Sequence, residues 1–311
     1  MEYDVVVIGG GAAGLSAATV LARARRRVIV VDAGDPRNAP AQHVYGFLSR
    51  DGMAPAQMLA VGRDEVTGYG GQVMQARAVA IEQLGDRGFV ARCDGGPDLT
   101  ARGVVVATGL RDELPETPGL RERWGVDVLH CPYSHGYEVR DTPIAVLGGE
   151  NRPFTLHQAS LVRQWSADVV FFPNRIVLDA DERTRLTARG IRIVEGEVAR
   201  LVVRDHQLHG VELADGELVP RAAVFVGPRF VPRDDLLTGL GCEAGEDGWV
   251  GTDPTGHTSV PGVWAVGNVV DSPAQLITAA GAGTKAAIAL NHYLLEQDVQ
   301  EAVAAVPNGC T

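Results

Sequence analysis

The apolar positions of this chain cluster in short consecutive runs that stop at glycine. Val5-Val6-Val7-Ile8 stops at Gly9, Val104-Val105-Val106-Ala107-Thr108 at Gly109, Ile144-Ala145-Val146-Leu147 at Gly148, and Val263-Trp264-Ala265-Val266 at Gly267. Runs of this length bounded by turn residues predict strands buried on both faces, as in a parallel sheet. Between them the pattern changes to helical spacing. Helices are predicted over 12–25, 54–69, about 154–166 and 274–295, the last rich in Ala and Gly and suited to close packing. Further strands are predicted at 28–31, 72–82, 88–93 and 168–172, and near 191–203, 208–213 and 223–226. Residues 36–52, with Pro36, Pro40 and Gly46, predict an irregular loop, and the Pro-rich, charged stretch 111–122 a linker.

Two strand–glycine turn–helix starts in one chain predict an α/β protein with two Rossmann-like dinucleotide-binding domains, the second inserted into the first. The expected division is 1–112 and 245–311 for an FAD-binding domain and 113–244 for the insertion. A length of 311 residues accommodates two domains, and the 38 glycines fall mostly in strand-to-helix turns.

The first turn, Gly9-Gly10-Gly11-Ala12-Ala13-Gly14, follows a strand and opens a helix. In that context Gly9 permits the tight turn, and Gly11 lets backbone approach a pyrophosphate at the helix N-terminus, around Gly11, Ala12 and Ala13. Gly14 lets helix and strand pack closely. Asp32 ends the second strand, where a carboxylate accepts hydrogen bonds from a ribose. This motif does not separate FAD from NAD. The segments Ala107-Thr108-Gly109, Gly267-Asn268 and Gln275-Leu276 through Gly281 resemble the later FAD-contacting segments of two-dinucleotide-fold flavoenzymes.

Charge and cysteine usage narrow the picture. A net charge of −11 disfavours nucleic acid as a partner. The basic cluster Arg23, Arg25, Arg26 and Arg27 sits where cations complement the end of a predicted helix. No run of 18 apolar residues predicts a membrane span, and no signal-peptide pattern opens the chain, so a cytoplasmic protein is expected. The four cysteines, Cys93, Cys131, Cys242 and Cys310, form no C-x-x-C pair or zinc-ligand spacing. Cys93 and Cys242 are expected to be structural.

The whole chain resembles the low-molecular-weight thioredoxin reductases, most closely their dithiol-oxidising relatives of the gliotoxin and holomycin type. The segments that carry the resemblance are Asp32-Ala33-Gly34-Asp35-Pro36-Arg37-Asn38, His43-Val44-Tyr45-Gly46-Phe47, Cys131-Pro132-Tyr133-Ser134-His135-Gly136-Tyr137-Glu138 and the C-terminal segment above. The resemblance implies an FAD-containing homodimer, with Ala33 and Asn38 joining the residues around FAD. It implies a redox role for Cys131 and an acid/base role for His135, whose ordinary pKa suits proton exchange with a thiol.

Two departures from the family pattern alter the expected function. The redox motif reads Cys131-Pro132-Tyr133-Ser134, so the flavin-side cysteine is replaced by Ser134, and Cys131 cannot close the usual internal disulfide. The second glycine motif reads Gly148-Gly149-Glu150-Asn151-Arg152-Pro153-Phe154, about two residues longer before the helix than the family's and with a carboxylate where backbone should meet a pyrophosphate. This speaks against ordinary NADPH binding, and Arg175 alone is weak support for it. The expected function is therefore an FAD-dependent oxidoreductase acting on a small molecule or thiol, with oxygen or a redox protein exchanging electrons. The alternatives are hydride transfer without sulfur chemistry and a non-catalytic FAD-binding relative.

Overall fold

The computed structural model describes residues 2–85 and 88–306. The chain divides into two compact units: residues 1–39, 47–111 and 232–311 form the first, and 40–46 with 112–231 the second. The chain returns to the first unit at residue 232, ahead of the 245 expected from sequence. A short helix follows the crossing, and its Leu236 and Leu237 are buried in the core of the first unit together with Cys242 and Val250. That helix spans too few residues to show a period, which is why the sequence did not mark the crossing.

The first unit is built on β1 (Tyr3–Ile8), β2 (Val28–Asp32), β3 (Gln72–Gln75), β4 (Arg77–Gln83), β5 (Phe89–Asp94) and β6 (Leu99–Val106), in the order β3-β2-β1-β6-β5-β4. The first four in that order are parallel, while β4, β5 and β6 form an antiparallel extension. The predicted strand over 72–82 is two strands, one pairing with β2 and the other with β5, with Ala76 between them. Alternation splits the core across the sheet: Val6 and Ile8 face one cluster, Val5 and Val7 the other. The second cluster is covered by α1 (Ala12–Arg23) and by the long C-terminal helix Leu276–Ala304, which runs nine residues beyond its predicted end. These two helices touch at backbone distance, since a Cβ on Gly283 would overlap the Ala13 carbonyl. The Arg23–Arg27 cluster is largely engaged inside the unit: Arg26 pairs with Asp298, Arg27 with Asp4, and Arg23 lies over the Tyr69 ring.

The chain leaves through β7 (Leu110–Glu113), which overlaps the start of the predicted linker. In the second unit β8 (Val128–Leu129) is followed by α3 (Pro132–His135), β9 (Ile144–Leu147), α4 (Arg152–Val162), β10 (Val169–Phe172), α5 (Ala180–Ala188) and β11 (Arg192–Ile193); α2 (Pro55–Gly68) belongs to the first unit. A three-stranded meander, β12 (Val198–Arg204), β13 (Gln207–Leu213) and β14 (Leu218–Pro220), precedes β15 (Ala223–Val226) and β16 (Arg229–Pro232). The five-stranded sheet runs β11-β10-β9-β15-β8, all parallel. Among the helices not expected from the hydrophobic pattern is α5, a polar helix fixed by a capping box between Asp179 and Glu182. The first unit is completed by α6 (Asp235–Gly239), β17 (Val263–Ala265), parallel to β6, and α7 (Leu276–Ala304).

Candidate functional site

In the first unit the carboxyl ends of β2, β1, β6 and β17 lie side by side. Ligands of open α/β sheets bind outside such ends. The residues expected around FAD all leave from this edge: Gly9–Gly14 after β1, Asp32–Asn38 after β2, Ala107–Gly109 after β6, and Gly267, Asn268, Gln275 and Leu276 after β17. Gly9 has φ +109° and a Cβ there would overlap the Ala107 carbonyl; a Cβ on Gly14 would overlap the Gly9 carbonyl. Gly11 is different, because a Cβ there would meet nothing within 4 Å. The space over Gly11 is open, and the helix it caps receives no side-chain hydrogen bond at its N-terminus. The first-turn amides of α1 are thus left to a ligand. Likewise α7 starts after Gln275 without a side-chain cap. An open cradle between close-packed glycines and two uncapped helix starts fit the pyrophosphate of FAD.

Asp32 is only partly available to a ribose. Its Oδ1 accepts from Gly10 N and Gly34 N, at 3.2 Å each, leaving Oδ2 for a hydroxyl. Ala33 is exposed and Asn38 half-buried. Thr108 donates from Oγ1 to the Arg233 carbonyl at 2.6 Å. Asn268 donates from Nδ2 to the carbonyls of Asp271, Ser272 and Ala274, ordering the approach to α7, and its Oδ1 accepts from Arg37. Arg37 falls in the segment 32–38 that carries the family resemblance, whereas Arg233 falls in no motif, and neither is singled out among the residues expected around FAD.

In the second unit Cys131 lies two residues beyond the end of β8, as the half-buried N-cap of α3. Ser134 N and His135 N both donate to its carbonyl at 3.1 Å, so Cys131, Ser134 and His135 share one turn. Gly136 seats that turn, since a Cβ there would overlap the Pro132 carbonyl and crowd the Trp165 ring. From α4, Gln158 Nε2 donates to the His130 carbonyl at 2.6 Å and fixes the residue before Cys131. Burial pushes the His135 imidazole below the ordinary histidine value, and nearby Glu138 opposes it. Burial raises the thiols of Cys93 and Cys242, as suits structural cysteines. Cys310 lies outside the described residues.

The second glycine turn is tight at Gly148, where a Cβ would overlap the Pro173 carbonyl. Beyond it the helix start is closed. Arg152 N donates to Glu150 O, Pro153 has no N–H, Phe154 N donates to the Asn151 side chain at 3.1 Å, and Thr155 N donates to Asn151 O. Glu150 is exposed at the turn, Arg152 is paired with Glu182, and the exposed Arg175 lies 3.9 Å from Glu197. Two of the amides at this helix start, those of Arg152 and Phe154, thus have partners within the turn, and a third position, Pro153, has none to offer. An Asn three residues ahead of Phe154, with a proline between, is a helix-cap signature readable in the sequence. Among the described residues no helix is long and apolar enough to cross a membrane, and no cluster of three His, Cys, Asp or Glu could hold a metal ion.

Comparison with known proteins places this geometry. Residues 3–283 match the family described as pyridine nucleotide-disulphide oxidoreductase. The chain is 30% identical to "Thioredoxin reductase sirT" of Leptosphaeria maculans over 96% of each chain. Among solved structures it is 58% identical to HlmI, with a TM-score of 0.94 over 97% of this chain and 96% of that one. An oxidoreductase from Agrobacterium tumefaciens is 37% identical, with a TM-score of 0.87 over 95% of this chain and 99% of that one. Members of this family use FAD and NADPH. The chain belongs to the pyridine nucleotide-disulphide oxidoreductase family and is an FAD-dependent oxidoreductase.

Proposed function

We propose that this oxidoreductase takes electrons from a small-molecule or thiol substrate and passes them to oxygen or a redox protein, without ordinary reduction by NADPH. The first unit would hold FAD around Gly9, Gly11, Ala12, Ala13, Gly14 and Asp32, with Ala33, Asn38, Ala107, Thr108, Gly109, Gly267, Asn268, Gln275 and Leu276 completing the site. The second unit would be a pyridine-nucleotide-type domain whose motif has lost its function. The observation that carries this reading is the closed start of α4, where Pro153 and the Asn151 cap remove the amides that NADPH would need. The start of α1 is open by comparison.

Bound FAD supplies a two-electron acceptor. The chain contributes a thiol, a hydroxyl and an imidazole on one turn: Cys131, Ser134 and His135. Oxidation of two thiols to a disulfide releases two electrons and two protons. His135, held neutral at pH 7 by its burial, is suited to accept one of those protons. Ser134 cannot form a disulfide, so Cys131 either forms a mixed disulfide with the substrate or lines its pocket.

We also read the protein as a cytoplasmic homodimer. Sparse cysteines support a reducing compartment. Exposed Ile288, Leu295, Val299 and Val303 on one side of α7 support a second copy as partner, which a light-scattering mass would test. The main test is anaerobic: the protein is mixed in turn with NADPH, NADH and dithiols while the visible flavin absorbance is followed. Bleaching by a dithiol and not by NADPH is expected. Rapid bleaching by NADPH overturns the reading, and bleaching only by non-sulfur donors moves it to hydride transfer.

A further inference from the structure

Two arginines of the first unit reach across the carboxyl edge of its sheet. At that edge the strand order is β2-β1-β6-β17, because β17 pairs with Val104–Val106 of β6. Arg37 follows β2, yet its Nη1 donates to the Oδ1 of Asn268, which follows β17, at 3.2 Å. Two strand ends lie between these loops, so the bond closes a gap of about 14 Å across three strand spacings. Arg233 makes a second crossing. Its backbone is tied over the end of β6, with its N–H donating to Gly109 O at 2.9 Å and its carbonyl accepting from Thr108 Oγ1. Its guanidinium donates to the loop after β2, to Asp35 Oδ2 at 2.7 Å and to Asp35 O at 3.2 Å.

Both crossings start in the loop 33–38 and pass the end of β1, where the open cradle at Gly11 lies. Neither has an evident packing purpose. The Arg233–Asp35 pair is partly exposed, its side chains retaining 33% and 61% of their accessible surface, and pairs so placed contribute little to fold stability. What the two bonds do share is position: each joins the loop after β2 to a segment on the far side of the crevice, and each brings a permanent positive charge to it.

We propose that Arg37 and Arg233 form a clasp over the FAD pyrophosphate, so that release of the cofactor requires the loop 33–38 to detach from Asn268 and from the Gly109–Arg233 segment. This rests on the placement of the pyrophosphate at Gly11–Ala13. Both arginines are positioning residues: they hold the crevice closed and oppose the pyrophosphate charge, and they take no part in the redox chemistry.

The test measures FAD dissociation from the holoprotein after dilution into FAD-free buffer, read as the rise in free-flavin fluorescence. The combined Arg37→Ala and Arg233→Ala variant should release FAD faster by roughly tenfold or more, as expected when charge-assisted bonds are lost. Each single variant should show part of this effect, and Arg37→Lys should recover part of it. Higher salt should speed release from the wild type more than from the combined variant. The melting temperature of the apoprotein should change little between wild type and variant, because ion pairs as exposed as Arg233–Asp35 contribute little to fold stability. An unchanged release rate with FAD bound overturns the clasp alone. So does an apoprotein destabilised as much as the holoprotein, which would make the arginines structural. A wild-type protein that carries no FAD would overturn both the clasp and the placement beneath it.

Discussion

The Asn151 side chain accepts the Phe154 amide at 3.1 Å, which caps the start of the helix after the second glycine turn. Pro153 lies beside it, and Arg152 N is bonded to Glu150 O. NADPH is therefore expected to reduce the flavin far more slowly than typical enzyme turnover of about 1–1000 per second. Stopped-flow absorbance under anaerobic conditions checks this, and reduction within that range would show that the turn opens for the nucleotide.

The same bond has a stability consequence. Asn151→Ala should destabilise the protein by about 1 kcal/mol, the usual cost of losing a helix N-cap. Denaturant unfolding followed by circular dichroism measures it. Because Asn151 lies in the second unit, FAD content should be unaffected. A variant as stable as wild type would mean that the cap is not formed in solution.

Gly11 and Gly14 should fail in different ways. At Gly14 any side chain overlaps the Gly9 carbonyl, so Gly14→Val should prevent folding. At Gly11 there is free space, so Gly11→Val should give a folded, colourless apoprotein whose valine occupies the room meant for the pyrophosphate. A yellow, fully loaded Gly11→Val protein would remove the pyrophosphate from this position.

His135 should impose a pH dependence of known sign. Its folded-state pKa is depressed below 6.5, so as the pH falls below that value the unfolded chain binds a proton that the folded protein resists. Stability is thus lost on acidification through 6.5, down to the folded pKa, and His135→Asn should lose less over that interval. Thermal melts at a series of pH values test this; equal acid sensitivity in variant and wild type would contradict a buried neutral imidazole.

Cys131 should remain a single thiol. The oxidised protein, denatured and titrated, is expected to give four free thiols, matching its four cysteines. Two would reveal a disulfide, with Cys310 the first suspect. If Cys131→Ala leaves flavin turnover intact, sulfur on the protein has no part in the chemistry.

The sequence by itself determined the parts of this protein that are written locally. Runs such as Val5–Ile8 and Ile144–Leu147 are too apolar for anything but buried strands, and the glycines that end them fix where strand turns to helix. The paired glycine turns are enough to expect two Rossmann-like units. The run Cys131 to His135 carries a family resemblance that implies reactive groups there, while their sharing of one turn is a finding of the structure. Tertiary structure decided what depends on distant partners. Leu236 and Leu237 join the first unit because that core accepts them, and nothing in their short helix announces it. Asp32 commits one carboxylate oxygen to Gly10 and Gly34, which a motif cannot show. Arg37 meets Asn268 across 231 residues of sequence only because β17 is laid beside β6. Hydrophobic period and turn chemistry act within a few residues and are legible one segment at a time, whereas a hydrogen bond across a sheet edge exists only after the strands have been ordered.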